Sequence, residues 1–405
     1  RDTKVFMKFH ASADGTDDAL YEIPVLDGFS FSQSTNSTEV TLNEAADSSG
    51  NSKRGRAMFN DSFAPAEWSF STYMRPSVSD SSDTYTIASG EGSHAGNAKK
   101  FAVEGPLWAA MSATTYNLGV GGTGAPTLAS FEPNVFNFQN SNKVALGVFD
   151  LFFVLGASKD TDGTYTSGSG GVMIYKIEGC SIGSASIDFD IEGIAQVAWS
   201  GNGKLITEQA TLNTAAGQAS TKGLINEGIS STTNFIRQKL TDLAIAYDAS
   251  ESTGDTTGIG SSDITYSLTL TGGNITIENN LTYLTPESLG TVNQPLGHVM
   301  GTRSVSGNFT CYLNDVSNGS ADLFENLVES TGLITNAFAL TFGIGGSGNT
   351  PSVDVAIPKA HLELPSHSID DVIGIEVNFH GLSSDLSSAT ASSSANEVSI
   401  TYDAS

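Results

Sequence analysis

Strict period-two alternation is the feature that most narrows what this chain can fold into. Ile187-Asp188-Phe189-Asp190-Ile191-Glu192-Gly193 and Ile375-Glu376-Val377-Asn378-Phe379-His380-Gly381 set apolar and polar residues in turn. Successive side chains of a strand point to opposite faces, so each run reads as one buried face and one wet face. Ile275, Ile277 and Leu281 oppose Thr276, Glu278 and Asn280 in the same manner. The apolar set gains about 25 cal/mol per Å² removed from water, and the polar set must stay solvated. With 21 Phe, 11 Tyr and many β-branched residues in such short runs, the chain is predicted to be ordered and mainly β.

The pattern is written twice. Gly28-Phe29-Ser30-Phe31-Ser32-Gln33 opens one strand and Asn274-Ile275-Thr276-Ile277-Glu278-Asn279 another. After a long polar loop, Trp68–Tyr73 returns in the first half and Gly307–Tyr312 in the second. A helix is predicted next, around Val103–Ala113 and Ala321–Ser330, with Leu107, Trp108, Leu323, Phe324 and Leu327 on its apolar side. Ile187–Gly193 and Ile375–Gly381 then read as matching late strands. Four elements in one order indicate an ancestral domain, duplicated. Thr207–Asn234, rich in Ala, Thr, Ser, Gly and Gln, reads as an exposed linker. The expected organisation is domain one over 1–206, a linker over 207–234 and domain two over 235–405, which suits a chain of 405 residues. Ser79–Ala98 reads as a surface insertion of domain one.

Charge then limits function. Forty-four acidic residues face 18 basic ones, for a formal charge of −26. A protein that grips nucleic acid must neutralise phosphates with clustered Lys and Arg, so that class is disfavoured. An acidic protein can still sit beside DNA if DNA must pass without sticking; plain solubility explains acidity equally well. Cys180 and Cys311 lie far apart with no CxxC, and two reduced, buried thiols are expected rather than a disulfide. No run of about eighteen apolar residues and no signal-peptide pattern stand out, so neither membrane insertion nor secretion is expected.

Any single polar face is explained by solvent exposure. Acidic and amide side chains nevertheless recur on that face in strands of both halves. Sheets joined edge to edge into a closed ring would turn such faces toward a water-filled, negative channel, and about twenty-four strands would leave a wide one. On that reading Asp188, Asp190, Glu192, Glu278 and Glu376 line the channel. The long loops Asn43–Pro65 and Thr285–Ser304 exceed ordinary hairpin turns and are expected to be functional. The first carries Lys53, Arg54 and Arg56, the densest basic cluster, read as contacting an acidic surface of a neighbouring ring.

Several segments resemble a known family. Phe59-Asn60-Asp61-Ser62 with Ala66–Tyr73, Asp190-Ile191-Glu192 with Trp199-Ser200-Gly201-Asn202-Gly203, and Thr271-Gly272-Gly273 with Asn279–Pro286 are similar to the large tail tube proteins of long, non-contractile-tailed coliphages. The likeness spans roughly residues 5 to 385. It implies two tandem domains, each a pair of packed antiparallel sheets flanked by a short helix. It further implies homotrimers giving six domain copies per ring, rings stacked into a tube that conducts DNA, and a virion location after assembly in the host cytoplasm. Tape-measure, tail-tip and tail-terminator proteins are the implied partners, with phage DNA passing unbound. The coliphage relative continues into an immunoglobulin-like decoration domain, whereas this sequence ends after Val398–Tyr402, so no decoration role is expected.

No catalytic set emerges. The histidines (His10, His94, His298, His361, His367 and His380) are scattered, and Gly345-Gly346-Ser347-Gly348 lacks the Lys of a phosphate loop. Asp188 and Asp190 recur within a repeat without an aromatic platform for a sugar. No enzyme activity, metal or cofactor is therefore expected. A β-rich carbohydrate-binding adhesin, or another virion surface protein, is the rival class; it needs clustered exposed aromatics, whereas Trp68 and Trp108 fall at predicted core positions.

Overall fold

The computed structural model describes residues 3–9, 19–40, 48–49, 57–79, 99–112, 134–139, 146, 148–156, 164–214, 235–248, 263–284, 295–329, 338–369, 373–383 and 396–404. The chain is mainly β. The first half runs β1 (Thr3–Phe9), β2 (Ala19–Ile23), β3 (Ser30–Ser32), β4 (Thr35–Val40), β5 (Ala57–Phe63), β6 (Ala66–Tyr73), β7 (Pro76–Ser79) and β8 (Lys99–Ala102). Helix α1 (Gly105–Ser112) precedes β9 (Val135–Gln139), β10 (Phe149–Leu155), β11 (Thr164–Thr166), β12 (Met173–Asp190), β13 (Gln196–Gly203), β14 (Leu205–Glu208) and β15 (Thr211–Asn213). A 3₁₀ turn (Gln238–Leu240) then leads to β16 (Asp242–Tyr247), β17 (Ile264–Ser267), β18 (Leu270–Glu278), β19 (Leu281–Leu284), β20 (Gly297–Met300) and β21 (Ser304–Tyr312). Helix α2 (Ser320–Glu329) is followed by β22 (Phe338–Ile344), β23 (Ser352–Leu362), β24 (Ser366–Ile369), β25 (Ile373–Leu382) and β26 (Asn396–Asp403).

The pairings recur in one order. In the first half β2–β1–β10–β12–β14 forms one run and β3–β6–β13–β12 another. In the second half β17–β16–β22–β23–β26 and β18–β21–β25–β23 repeat them. β12 and β23 each pass from one run to the other. The helices also correspond, each lying between the β6-type and the β10-type strand. This order corrects one equivalence expected from the sequence. The counterpart of Ile375–Gly381 is β13, not Ile187–Gly193, because β13 pairs with β6 as β25 pairs with β21. Alternation alone cannot tell neighbouring strands of one sheet apart, since each presents the same two faces. The corrected alignment sets Gln196-Val197-Ala198-Trp199-Ser200-Gly201 against Glu376-Val377-Asn378-Phe379-His380-Gly381. It also brings out a shared packing device. Gly201 lies opposite Trp68, and Gly381 opposite Val305. A Cβ on Gly201 would sit 2.5 Å from the Trp68 ring, so the indole needs the bare backbone there.

The halves join along one sheet. β12 pairs with β18 over seven residues, from Ser184↔Glu278 to Asp190↔Gly272. β26 crosses back to pair with β9. The apolar faces of both halves feed one continuous core that includes Phe70, Trp199, Ile275, Phe309 and Phe379. Trp108 of α1 stands edge-on to Trp199 at 4.5 Å, and Phe342 packs on both Phe189 and Phe379. Trp68 and Trp108 are 2% and 0% exposed, at core positions as expected.

Two buried polar clusters pin the last strand. The Tyr402 hydroxyl donates to Glu104 and accepts from Trp108 Nε1 at 2.7 Å. The Glu104 carboxylate also accepts from the Arg75 amide. Complete burial, opposed by these bonds, raises the Glu104 pKa to about 7. At the other end of β26, Glu397 faces Arg303 at 3.6 Å, and Arg303 Nε donates to Asn279. The Asn279 amide in turn donates to the carbonyls of Met111 and Ile182.

Both expected long loops are partly strand. Within 43–65, β5 pairs with β4, and within 285–304, β20 pairs with β19. These ribbons escaped notice because β4 and β5 are almost wholly exposed and therefore carry no apolar–polar alternation. The alternation of β18 likewise stops before Leu281: Asn279 turns inward, and Asn280, at φ 47°, begins the hairpin. Residues 207–214, assigned by composition to the linker, include parts of β14 and β15, with Leu212 buried. The rest of that segment, 215–234, and the insertion at 80–98 lie outside the described residues.

Candidate channel-lining face

One antiparallel sheet carries the polar face through both halves. Its strand positions run β3, β6, β13, β12, β18, β21, β25 and then β23 continued by β24, eight among the described residues. Registers align the outward side chains into rows. Ser71, Ala198, Ser186, Thr276, Ser306, His380 and His361 form one. The next holds Gln196, Asp188, Asn274, Asn308 and Asn378. Beyond it come Asp190, Gly272, Thr310, Glu376 and Ser366. On the other flank Ser69, Ser200, Ser184, Glu278 and Ser304 share a row. None of these residues is Lys or Arg; at the β23 edge, beside His361, the same face carries Lys359 opposite Leu382. Alternate positions of the same strands, such as Ile187, Ile277, Val377 and Phe379, are buried in the core.

Four of the five acidic residues singled out in the sequence, Asp188, Asp190, Glu278 and Glu376, therefore share this face, and all are exposed. Glu192 is exposed too, but in the bend just past the end of β12. Beside it Gln238 stitches the strand end, donating to the Asp188 carbonyl at 2.7 Å and accepting from the Asp190 amide at 3.4 Å. Lys53, Arg54 and Arg56 lie outside the described residues. Hydroxyls and amides outnumber carboxylates on the face, and some tether them. Asn308 Nδ2 donates to Glu376 at 2.9 Å, and Asn378 Nδ2 to Glu363 at 3.0 Å. The Asn378 amide, followed by the His380 ring at 3.2 Å, holds Glu363 below the usual carboxylate range.

The sequence reading missed a second feature. The paired ribbons β4–β5 and β19–β20 occupy matching places in the two halves, and both expose large apolar side chains. Met58 and Phe59 are 62% and 64% exposed on one; Leu284, Leu296 and Val299 are exposed on or beside the other. Apolar residues in runs without alternation were the available signal.

No set of three or more His, Cys, Asp or Glu able to hold a metal occurs among the described residues. What the fold presents is a broad, polar, acid-bearing sheet face on a mainly β chain. The sequence is 32% identical to tail tube protein pb6 of Escherichia phage T5 over 372 residues, covering 90% of this chain and 68% of that protein. The chain belongs to the tail tube protein family. No established family profile matches the sequence.

Proposed function

We propose that this chain is the major tail tube subunit of a long, non-contractile phage tail. It carries two tandem copies of a tail tube domain, split near residues 206 and 235, and closes as a homotrimer into a pseudo-hexameric ring. Rings stack around a channel lined by Asp188, Asp190, Glu278 and Glu376, with Glu192 at its rim. Phage DNA passes through this channel during ejection.

The observation that carries the reading is the eight-position sheet with a continuous polar face, built from two equivalent sets of four. Three copies supply twenty-four strands, about 37 Å across at zero tilt for strands about 4.8 Å apart, and wider once tilted. A wall whose paired rows carry Asp188, Asp190, Glu278 and Glu376 against Lys359 at one edge is net negative and repels phosphate, whereas several basic contacts would hold DNA by orders of magnitude. The apolar ribbons β4–β5 and β19–β20, with Lys53, Arg54 and Arg56 between β4 and β5, suit contacts between rings. The tape-measure, tail-tip and tail-terminator proteins are the expected partners, and assembly takes place in the host cytoplasm.

Negative-stain electron microscopy of the concentrated protein tests the assembly. Hollow rings or tubes with threefold or pseudo-sixfold averages are expected. Solid or filamentous particles without a central hole would count against it.

A further inference from the structure

The sheet that crosses the chain ends in two free edges. Among the described residues, β3 pairs only with β6 and β24 only with β25, and β23 is open from His361 onward, Ala360 being the last residue that it pairs with β22. The same two strand types also meet inside the chain, where β12 pairs with β18. In the recurring pairing order, β18 is the counterpart of β3, and the later part of β12 is the counterpart of β23 continued by β24. One chain thus contains a completed example of the junction that its own free edges lack.

We infer that the free edge at β23–β24 joins β3 of a second copy of this chain in the register of the internal β12–β18 junction. The residue assignment follows from ladders already described. The hairpin ends Ser34–Ala64 and Asn280–Gly301 are each closed by a backbone bond, which equates Ser32 with Glu278 and Ser30 with Thr276. Ser32 then pairs with Glu67 as Glu278 pairs with Ser304. On the other edge, Ser184 pairs with Ser200 as His361 pairs with His380, and Ser186 with Ala198 as Glu363 lies against Asn378. Internally, Ser184 faces Glu278 and Ser186 faces Thr276. Between copies, His361 therefore faces Ser32, Glu363 faces Ser30, and Leu362 and Phe31 turn together to the core side.

Burial agrees with this phase. His361, Glu363, Ser30 and Ser32 are exposed, while Leu362 is buried and Phe31 is half-buried against Phe153 and Tyr175. The two junctions are not chemically equal. The internal one sets Ser184 and Ser186 against Glu278 and Thr276, whereas the one between copies carries His361 and the Glu363–His380 pair. The partner is a second copy because the complementary strand is already encoded in the chain, in the matching phase.

The inference depends on ring assembly, and the test separates the two. Chains carrying Ser30→Cys with Glu363→Cys, or Ser32→Cys with His361→Cys, are assembled, oxidised with copper phenanthroline and run on a non-reducing gel. Both pairs should convert most of the chain to a ladder ending at the trimer. The shifted pairs Ser30→Cys with His361→Cys and Ser32→Cys with Glu363→Cys should not, because diagonal neighbours lie about 7–8 Å apart, too far for a disulfide. The native Cys180 and Cys311 are buried and do not compete. Rings that cross-link only through shifted pairs, or through none, overturn the register and leave the tube standing. A chain that forms no rings under any condition overturns tube and junction together. Should the cysteine variants fail to assemble, a map of the native ring reads the same strand register directly.

Discussion

Glu104 makes the stability of this protein depend on pH in an unusual direction. Its carboxyl is fully buried between α1 and β26, and burial raises its pKa from 4.5 to about 7. Between those two values the folded chain holds a proton that the unfolded chain has released. The stability from this group is therefore fully present below pH 4.5 and is lost as pH rises through 7. Each pKa unit corresponds to about 1.4 kcal/mol, so the full swing is about 3 kcal/mol. Glu104→Gln keeps an oxygen to accept from Tyr402 and the Arg75 amide but has no charge to bury. Urea titrations of the dilute, unassembled protein at pH 5, 6, 7 and 8 measure the effect. The native chain should lose several times more stability than the glutamine variant between pH 5 and 7. Equal slopes for the two proteins would refute the argument, because the pH dependence would then arise elsewhere.

Other substitutions probe the packing and the surfaces. Trp108→Ala removes the bond to Tyr402 and the contacts with Trp199 and Phe138, and should cost about 3–5 kcal/mol in denaturant titrations. Gly201→Ala should destabilise by about 2–3 kcal/mol, since the new Cβ lies 2.2 Å from the Ser181 carbonyl; Gly381→Ala, whose closest contact is 3.0 Å from Val305, should cost less in the same titration. Phe59→Ser, at an exposed ribbon position, should leave monomer stability within about 0.5 kcal/mol and shorten tubes counted by electron microscopy. Asp188→Lys combined with Glu278→Lys and Glu376→Lys should leave the fold intact and make tubes retain linear DNA in a co-sedimentation assay, with retention falling steeply as salt rises.

What could be read from the sequence followed burial. β12, β18, β21 and β25 were legible because each has one face in the core, so Phe189, Ile277, Phe309 and Phe379 mark every second position. The helices were legible through Trp108 and Leu323, both buried. Elements with no core to face left no such trace: β5, exposed along most of its length, was read as part of the loop Asn43–Pro65. The buried ion clusters were equally silent, since Glu104 and Tyr402 are 298 residues apart and only the fold brings them together. Four acids of the candidate face were found by alternation, yet their neighbours in the rows were not, because cross-strand rows depend on register rather than on local pattern.

Both open edges of the sheet are blunted against indiscriminate pairing. An exposed edge is a template for any other strand, and proteins blunt it by keeping it short or interrupted. β3 is three residues long and follows Gly28, whose φ of 100° bends the chain out of the extended state. The opposite edge breaks between Leu362 and Ser366, and Pro365 there has no amide to offer. By contrast, the internal junction runs seven residues without interruption, from Ser184 to Asp190. The long, adhesive pairing is thus satisfied within the chain, and the edges left open are β3, β24 and only the last residues of β23. Closure of such short edges is weak for any single pair of strands, and only a partner that also matches the alternation of Phe31 and Leu362 buries apolar surface as it binds.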